Sequence, residues 1–282
     1  MEFYLKNEIM EIKLYCGNCL DILPFISDKS VNAVFSDPPY PEIKRDYGKI
    51  SVDDWMLLMQ SVVKESKRIV KDTGSAVFIL QANSSKIGVT RTWLWEFLVW
   101  AANEWSLIQD VYWHNTAAMP NRHCNRQYGL MRPSVKMCIW LGSSDAYRNQ
   151  DEILKTPCQA PKHSSNKIIY SPSGYNIRHD RAYATPLNRG GATPFNLIQM
   201  PNTSHKHFAA GVGHGAGTPY KLTDWWIRYI CPPGGLVLDP FSGVATTGLV
   251  CKERGRSYIG IEKKPEYHSI AAERLQEKEE TT

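Results

Sequence analysis

Short apolar runs rich in β-branched residues alternate with helical patterns along the first third of this chain, and this alternation limits the fold more than any other feature. Residues 12–16, 31–36 and 75–80 have the pattern of buried strands, whereas residues 51–71 and 93–105 have the pattern of helices. Strands that alternate with helices form parallel sheets that are covered on both faces. The sequence therefore predicts an α/β fold with a doubly wound, mostly parallel sheet.

The same alternation returns near the carboxyl end. A helix is expected at 220–230, strands at 236–239 and 257–262, a helix from Ser242 onward, and a last helix at 264–279. No apolar run approaches the roughly 20 residues that span a bilayer, and the first residues lack a signal pattern. A cytoplasmic protein without a membrane segment is expected.

Two local signals refine the helical segment 51–71. Asp53 or Asp54 is the expected cap of its first turn. The tetrapeptide Lys71-Asp72-Thr73-Gly74 has the composition of a turn and is expected to separate the helix from the next strand.

The middle of the chain differs from both ends. Between Asn115 and Gly217 the apolar periodicity is weak, except for a strand-like run at 135–141, and residues 142–213 are expected to be largely irregular. Between Pro120 and Thr218, twelve Lys and Arg stand against four Asp and Glu, a net charge of +8, while the rest of the chain carries −3. Such a segment suits a polyanion, because basic side chains release counterions from phosphates. A solvated basic loop is the alternative.

The strand at 31–36 ends at Asp37-Pro38-Pro39-Tyr40, because two prolines cannot continue a hydrogen-bonded ladder. Ligands bind outside the carboxyl ends of parallel strands, so this tetrapeptide is a candidate catalytic element. Asp37 offers a carboxylate and Pro38 a carbonyl, two acceptors that suit the two N–H bonds of an amino group. Tyr40 offers a ring on which a planar heterocycle can stack. An ordinary turn after a strand is the alternative.

A second loop, Asp239 to Gly248, lies between a strand and a helix. Gly243 permits a tight turn, and the helix start that follows offers unpaired N–H groups to a ligand. Fourteen residues later, Glu262 ends the next strand, where a carboxylate can accept hydrogen bonds from both hydroxyls of a ribose. A nicotinamide enzyme is the competing interpretation, but it gives no reason for the tetrapeptide that follows the first strand.

Metal sites are not favoured. Cys16 and Cys19 form a C-x-x-C, but no second ligand pair follows at zinc-finger spacing. His205 and His207 resemble a metal-binding pair without an evident third ligand, so a surface loop is the better interpretation. No metal is expected.

Together, the two loops resemble the amino-methylating DNA methyltransferases in the β arrangement, in which the catalytic tetrapeptide precedes the recognition region and the cofactor loop follows it. The resemblance covers roughly residues 12–140 and 214–275 and includes the elements at 17–21, 113–115 and 214–219. It implies a Rossmann-like methyltransferase fold. It also implies transfer of a methyl group from S-adenosylmethionine to the exocyclic amino group of a base that is flipped out of double-stranded DNA.

The resemblance also assigns the site residues. Asp37, Pro38, Pro39 and Tyr40 are the implied catalytic residues. The implied cofactor-binding residues are Asn18, Cys19, Leu20, His214, Thr218, Asp239, Phe241, Ser242, Gly243, Ala245, Thr247, Glu262 and Lys263. Three of these depart from the family pattern: Asn18 replaces a usual Asp, Ala245 a usual Gly, and Thr218 a usual Lys.

The implied DNA-binding residues lie in or before the basic segment: Trp113, Arg122, Arg126, Arg178, Arg181 and Arg189. For Trp113, a place in the base pocket and a place in the core are equally consistent with its position. We predict that residues 121–213 form a target-recognition insertion in a catalytic domain made of residues 1–120 and 214–282. The sequence leaves open the recognition sequence, the oligomeric state and the existence of a cognate restriction nuclease.

Adenine is the expected target base, because Asp-Pro-Pro-Tyr resembles the adenine subgroup, whereas enzymes that methylate the cytosine amino group more often carry Ser-Pro-Pro-Tyr. Ser36 precedes Asp37, so a reading shifted by one residue, and with it N4-cytosine methylation, stays open. A DNA-binding protein that has lost catalysis is a second alternative, against which the intact Asp37 and Glu262 argue. Methylation of RNA or of a protein amide is a third, and those enzymes more often resemble Asn-Pro-Pro-Tyr.

Overall fold

A computed structural model describes eight stretches of the chain: residues 2–6, 10–44, 48–121, 124–155, 169–170, 176–177, 190–202 and 217–276. Within these stretches, no helix is long and apolar enough to cross a membrane.

The strands, in chain order, are β1 (Glu2–Lys6), β2 (Glu11–Cys16), β3 (Val31–Ser36), β4 (Val70–Leu80), β5 (Ser84–Lys86), β6 (Val89–Thr90), β7 (Leu107–Asn115), β8 (Val135–Gly142), β9 (Ile169–Tyr170), β10 (Asn176–Ile177), β11 (Leu197–Met200), β12 (Leu236–Asp239) and β13 (Ser257–Glu262). Nine of them form one sheet in the order β1-β2-β13-β12-β3-β4-β8-β7-β11. Neighbours from β2 to β4 are parallel, as are β7 and β11, whereas β1 and β8 run against their neighbours.

The helices are α1 (Cys19–Ile22), α2 (Val52–Ile69), α3 (Trp93–Glu104), α4 (Tyr220–Ile230), α5 (Thr246–Glu253) and α6 (Pro265–Gln276). Helices α2 and α3 cover one face of the sheet and α4, α5 and α6 cover the other, so the core has two layers. Successive residues of β3 serve both layers, since Val34 packs on the side of α2 and Phe35 on the side of α4. The prediction of a mostly parallel, doubly wound sheet is confirmed.

Several boundaries differ from those expected from the sequence. The strand β4 already begins at Val70, directly after α2, so the expected turn at 71–74 lies inside the strand. Pairing with β3 shifts between Val31 and Ala33, and this irregularity accommodates the turn-like residues. The helix expected from Ser242 begins only at Thr246.

Part of the expected insertion belongs to the sheet. Among the described residues of 121–213, β8 lies between β4 and β7, and β11 extends the sheet beyond β7. The 3₁₀ turn Gln150–Ile153 lies between these two strands in the chain, and Ile153 is buried. The domain division stays a prediction, but β8 and β11 are structural parts of the sheet that carries the site.

The amino end of α2 is capped by Ser51 rather than by the expected Asp53 or Asp54. The Ser51 hydroxyl oxygen accepts a hydrogen bond from the backbone N–H of Asp54 at 3.0 Å and donates to the Asp54 carboxylate at 2.6 Å. The local signal was right in kind, because a short polar side chain satisfies an unpaired N–H of the first turn. The expected cap lies two or three residues after the observed one.

We expect Ser51→Ala to lower the free energy of unfolding by about 1 kcal/mol, because the first turn of α2 loses its cap. Urea denaturation measures this loss. Ser61→Ala is the matched control, since Ser61 lies in the middle of the same helix, and its effect should stay within about 0.5 kcal/mol. Equal losses in the two variants would contradict the capping role.

Candidate active site

The site lies at the point in the sheet where the order of the strands reverses. From β12 the chain passes through α5 to β13 on one side, and from β3 it passes through α2 to β4 on the other side. Strands β12 and β3 are parallel neighbours, so their carboxyl ends open into the same crevice. Open α/β sheets bind their ligands at such a switch point.

A buried carboxylate joins the two loops of this crevice. Asp239, the last residue of β12, accepts hydrogen bonds from Ser36 Oγ at 2.6 Å and from Thr247 Oγ1 at 2.8 Å. It also accepts one from the backbone N–H of Phe241 at 3.1 Å. Burial raises the pKa of Asp239 to about 6, although these three donors favour the charged form. Asp239 therefore organises the loop from inside through Ser36 and Thr247, and its predicted contact with the cofactor stays a prediction.

The loop after Asp239 owes its shape to two left-handed residues. Gly243 has φ 52° and Ala245 has φ 57°, a region that favours glycine. Ala245 thus keeps the conformation of the glycine that the family usually has there, although its side chain is buried in the core. The tight turn delays the start of α5 to Thr246, which explains why the sequence placed the helix too early.

Glu262 lies across from this loop, at the end of β13. One of its carboxylate oxygens accepts from the backbone N–H of Gly243 at 2.9 Å and the other from that of Lys264 at 2.8 Å. Burial raises the pKa of Glu262 despite these backbone donors. A carboxylate has about four acceptor positions, so Glu262 keeps acceptor capacity for a ligand's hydroxyl groups.

Close contact between α5 and β13 requires a glycine. A Cβ atom placed on Gly248 would lie 2.7 Å from the ring of Tyr258. The helix that follows the loop can therefore lie directly on the strand that ends at Glu262, which is the packing role of a glycine in nucleotide-binding βαβ units.

The third carboxylate of the site, Asp37, is held by three side chains. The Tyr40 hydroxyl donates to one oxygen at 2.8 Å, and Lys136 Nζ and Thr218 Oγ1 contact the other at 3.3 and 3.2 Å. Asp37 is only 13% exposed. Thr218, which the sequence assigned to the cofactor, thus also contacts the predicted catalytic carboxylate, and its cofactor role stays a prediction.

The two prolines of the tetrapeptide have different surroundings. The indole N–H of Trp55 donates to the Pro39 carbonyl at 2.6 Å, which fixes the loop to α2. No described residue donates a hydrogen bond to the Pro38 carbonyl, and its predicted role as an acceptor for an amino group stays a prediction. Trp55 was not identified from the sequence, because its spacing in α2 indicates only a core position.

Lys136 contacts the predicted site residues, and the sequence did not single it out. Its ammonium lies 5.2 Å from the ring centres of both Tyr40 and Trp113, within the range of cation–π contacts. Trp113 is 1% exposed and its indole donates to the carbonyl of Met200, so it is a core residue whose ring also contacts Lys136. A lysine at the start of an otherwise apolar strand was the available signal.

The remaining predicted residues surround the same edge of the sheet. Asn18 caps α1, since its side-chain oxygen accepts from the Leu20 N–H at 3.3 Å, and its predicted contact with the cofactor stays a prediction. Cys19 is buried, and its burial raises the pKa of the thiol to about 12. The chain at Gly17 contacts the end of β13 through a hydrogen bond from its N–H to the Glu262 carbonyl at 2.9 Å. Lys263 is exposed.

Ser242 and Phe241 complete the loop, Ser242 as a buried residue and Phe241 as a half-buried one. Arg126, the one predicted arginine within the described stretches, is exposed. The other predicted residues of the cofactor and DNA sites lie outside the described residues: Arg122, Arg178, Arg181, Arg189 and His214.

The pKa of Asp239 gives a stability prediction. Its folded value of about 6 lies above the ordinary 3.8, so folding favours the protonated form, and stability falls as the pH rises between about 4 and 6. Asp239→Asn removes this charge and keeps an acceptor for Ser36. Relative to the wild type, we expect the variant to be more stable at pH 8 than at pH 5, its free energy of unfolding being larger by about 1–2 kcal/mol at the higher pH.

Urea denaturation at the two pH values measures this difference. Asp145→Asn, at an exposed position, is the control and should show no comparable change between them. The assignment is wrong if Asp239→Asn changes stability equally at pH 5 and pH 8.

Comparison with known proteins agrees with this geometry. The family model described as DNA methylase matches residues 31–273. The Type II methyltransferase M.PvuII of Proteus hauseri is 27% identical over 93% of this chain and 83% of its own length. Among solved structures, the PvuII DNA methyltransferase, described as cytosine-N4-specific, has a TM-score of 0.72 at 22% identity and covers 95% of this chain and 87% of its own.

A second solved structure, the complex of M1.HpyAVI with SAM, has a TM-score of 0.56 at 19% identity and covers 94% of this chain and 98% of its own. The family match spans both strands of the switch point, from the start of β3 to α6, and therefore includes Asp37, Asp239 and Glu262. The chain belongs to the DNA methylase family of N6/N4 amino-methyltransferases.

Proposed function

We propose that this protein transfers a methyl group from S-adenosylmethionine to the exocyclic amino group of adenine at a specific site in double-stranded DNA. One observation carries the proposal: the acceptor pair of Asp37 and the Pro38 carbonyl opens into the same crevice as the Glu262 loop. The strand β12 lies between β3 and β13, so the two carboxylates are about two strand spacings, or roughly 10 Å, apart along one edge of the sheet.

The residues at this edge fit the cofactor. Glu262 keeps acceptor positions for ribose hydroxyls, and the left-handed turn at Gly243 brings the backbone close to the crevice. The α1 segment, joined to the end of β13 through Gly17, supplies an apolar wall for a nucleoside base. When bound there, S-adenosylmethionine supplies a methyl group on a positively charged sulfur, an electrophile toward an amine.

The chain's own residues then have three tasks. The target base must leave the duplex, at a cost of about a few kcal/mol, and the Tyr40 ring offers a surface for stacking it. Asp37 and the Pro38 carbonyl accept the two N–H bonds of its amino group, which directs the nitrogen lone pair away from the ring and toward the methyl group. The methylated nitrogen must lose a proton, and the carboxylate of Asp37 is the acceptor in contact with it.

The position of Ser36 supports the adenine proposal. Its hydroxyl is buried and donates to Asp239, so Asp37, and not Ser36, is the side chain that faces the amino group. This hydrogen bond supports the Asp-Pro-Pro-Tyr interpretation over the shifted, Ser-containing one. Cytosine N4 is the second candidate, because the PvuII enzyme, similar over 95% of this chain, is described as cytosine-N4-specific.

Sequence specificity is assigned to the basic segment. We propose that residues 121–213, apart from the sheet strands β8 and β11, contact the duplex, and that the exposed Arg126 contributes to phosphate binding. M.PvuII is named a Type II methyltransferase. A corresponding site-specific modification activity, with or without a cognate nuclease, is proposed for this chain.

The role of Asp37 can be tested directly. Asp37→Ala is expected to lower methyl transfer to DNA by at least about 10³-fold, since the amino group loses its charged acceptor. Binding of S-adenosylmethionine, measured by calorimetry, should survive because the Glu262 loop is intact. Asp72→Ala is the control, as Asp72 is exposed at the amino end of β4, far from the crevice. Full activity of Asp37→Ala would exclude the assigned role.

The target base is determined by a separate experiment. DNA from cells that express the protein is digested to nucleosides and weighed by mass spectrometry, with the Asp37→Ala variant as the blank. N6-methyladenine is expected. Detection of N4-methylcytosine without N6-methyladenine would change the assigned target base from adenine to cytosine, and the proposed amino-methyltransferase activity would still hold.

A further inference from the structure

Lys136 lies beside the catalytic carboxylate because its strand runs in the opposite direction to its neighbour. The strand β8 pairs antiparallel with β4, and Met137 of β8 faces Leu80, the last residue of β4. The beginning of β8 therefore lies at the carboxyl edge of the parallel strands. A charged residue at this position projects into the crevice from the side opposite the cofactor loop.

The contacts of Lys136 bring an ammonium, a carboxylate and two aromatic rings together. Its ammonium is 3.3 Å from Asp37 Oδ2 and lies 5.2 Å from the ring centres of Tyr40 and Trp113. An acceptor and a charged donor thus stand side by side, next to the ring on which the target base is proposed to stack. The lysine side chain is only 21% exposed, so the pair is largely shielded from water.

Adenine and cytosine present the complementary pattern. In both bases the exocyclic amino group, a donor, is adjacent to an unprotonated ring nitrogen, an acceptor, on the Watson–Crick edge. Thymine presents the reverse order, a carbonyl next to a ring N–H. Enzymes that flip a base read this edge by hydrogen bonds. The neighbouring Asp37 carboxylate and Lys136 ammonium match the donor and acceptor of adenine and cytosine. In thymine each of them would face a group of its own kind.

We propose that Lys136 is a specificity-determining residue that donates a hydrogen bond to the ring nitrogen next to the methylated amino group. In adenine this atom is N1. The inference rests on the proposed function, because it concerns the base held by Asp37. It adds a second point of recognition to the one that the tetrapeptide provides.

The hydrogen-bond capacity of Asp37 allows both contacts. A carboxylate has about four acceptor positions, and Tyr40, Lys136 and Thr218 use three of them. One position is left for an amino N–H, and a lysine that turns one of its three donors to the ring nitrogen keeps its remaining donors for the carboxylate. The ammonium is therefore never left unpaired when the base enters.

A chemical substitution in the DNA tests the proposal. The recognised sequence is first read by sequencing that detects modified bases, and a duplex is then made with 1-deazaadenine, which lacks the N1 acceptor, at the target position. We measure kcat/KM for both duplexes with the wild type and with Lys136→Met. A lost charge-assisted hydrogen bond predicts that the preference for adenine over 1-deazaadenine is about 10-fold to 100-fold larger in the wild type.

The comparison of the two preferences removes the intrinsic reactivity of the analogue, which is the same for both enzymes. On ordinary adenine, Lys136→Met should lose about 10-fold to 100-fold in kcat/KM. Lys136→Leu is expected to behave in the same way. If the methionine variant does not fold, kcat/KM on the two duplexes is measured with the leucine variant instead. If cytosine is the target, 3-deazacytosine replaces 1-deazaadenine.

Lys13→Met is the matched control. Lys13 also pairs with a carboxylate, Glu11, at 3.3 Å and lies 5.6 Å from the ring centre of Tyr4, but on β2 near the sheet margin. It should retain the wild-type preference. An equal preference for adenine over 1-deazaadenine in the wild type and in Lys136→Met would overturn the proposal. Unchanged or faster methylation of adenine by Lys136→Met would also overturn it, because the lysine would then only occupy the place of the base until the base arrives. Activity on the ordinary duplex reports separately on the proposed function.

Discussion

The hydrogen bonds to the buried carboxylate of Asp239 are the interaction on which the rest of the site depends. A desolvated carboxylate is unfavourable by itself, and the raised pKa of Asp239 reflects that cost. The donors that offset it come from both sides of the switch point, Ser36 from the end of β3 and Thr247 from the start of α5. The same contacts therefore connect the loop that carries the predicted catalytic tetrapeptide with the loop that carries the predicted cofactor site.

This connection also determines the direction of Asp37. Side chains alternate along a strand, so a Ser36 that faces Asp239 leaves the next residue facing another way. Asp37 accordingly meets Tyr40, Lys136 and Thr218 instead of the cofactor loop. Asp239 and Asp37 thereby have separate surroundings, Asp239 buried between the two loops and Asp37 partly exposed at the edge of the sheet. Separate surroundings suit separate tasks, which are holding the loops together for Asp239 and the proposed contact with an amino group for Asp37.

The elements that the sequence located correctly are those whose pattern is complete within a few residues. The strands β3, β12 and β13 and the helix α4 begin and end where the apolar runs do. The start of β4 was misplaced because polar, turn-like residues at 71–74 are held in the sheet by pairing with β3, which local composition does not reveal. The start of α5 was misplaced because Ala245 adopts a left-handed conformation that its residue type does not indicate.

By itself, the sequence determined the fold class and the order of the two loops and pointed to Asp37 and Glu262 as candidate site residues, because each follows from residue types next to one another in the chain. The tertiary structure decided what these residues contact. Lys136 is 99 positions from Asp37 and Thr218 is 181 positions from it. Their meeting depends on the reversed direction of β8 and on the order of the strands, which arise from the packing of the whole sheet and leave no local pattern in the chain.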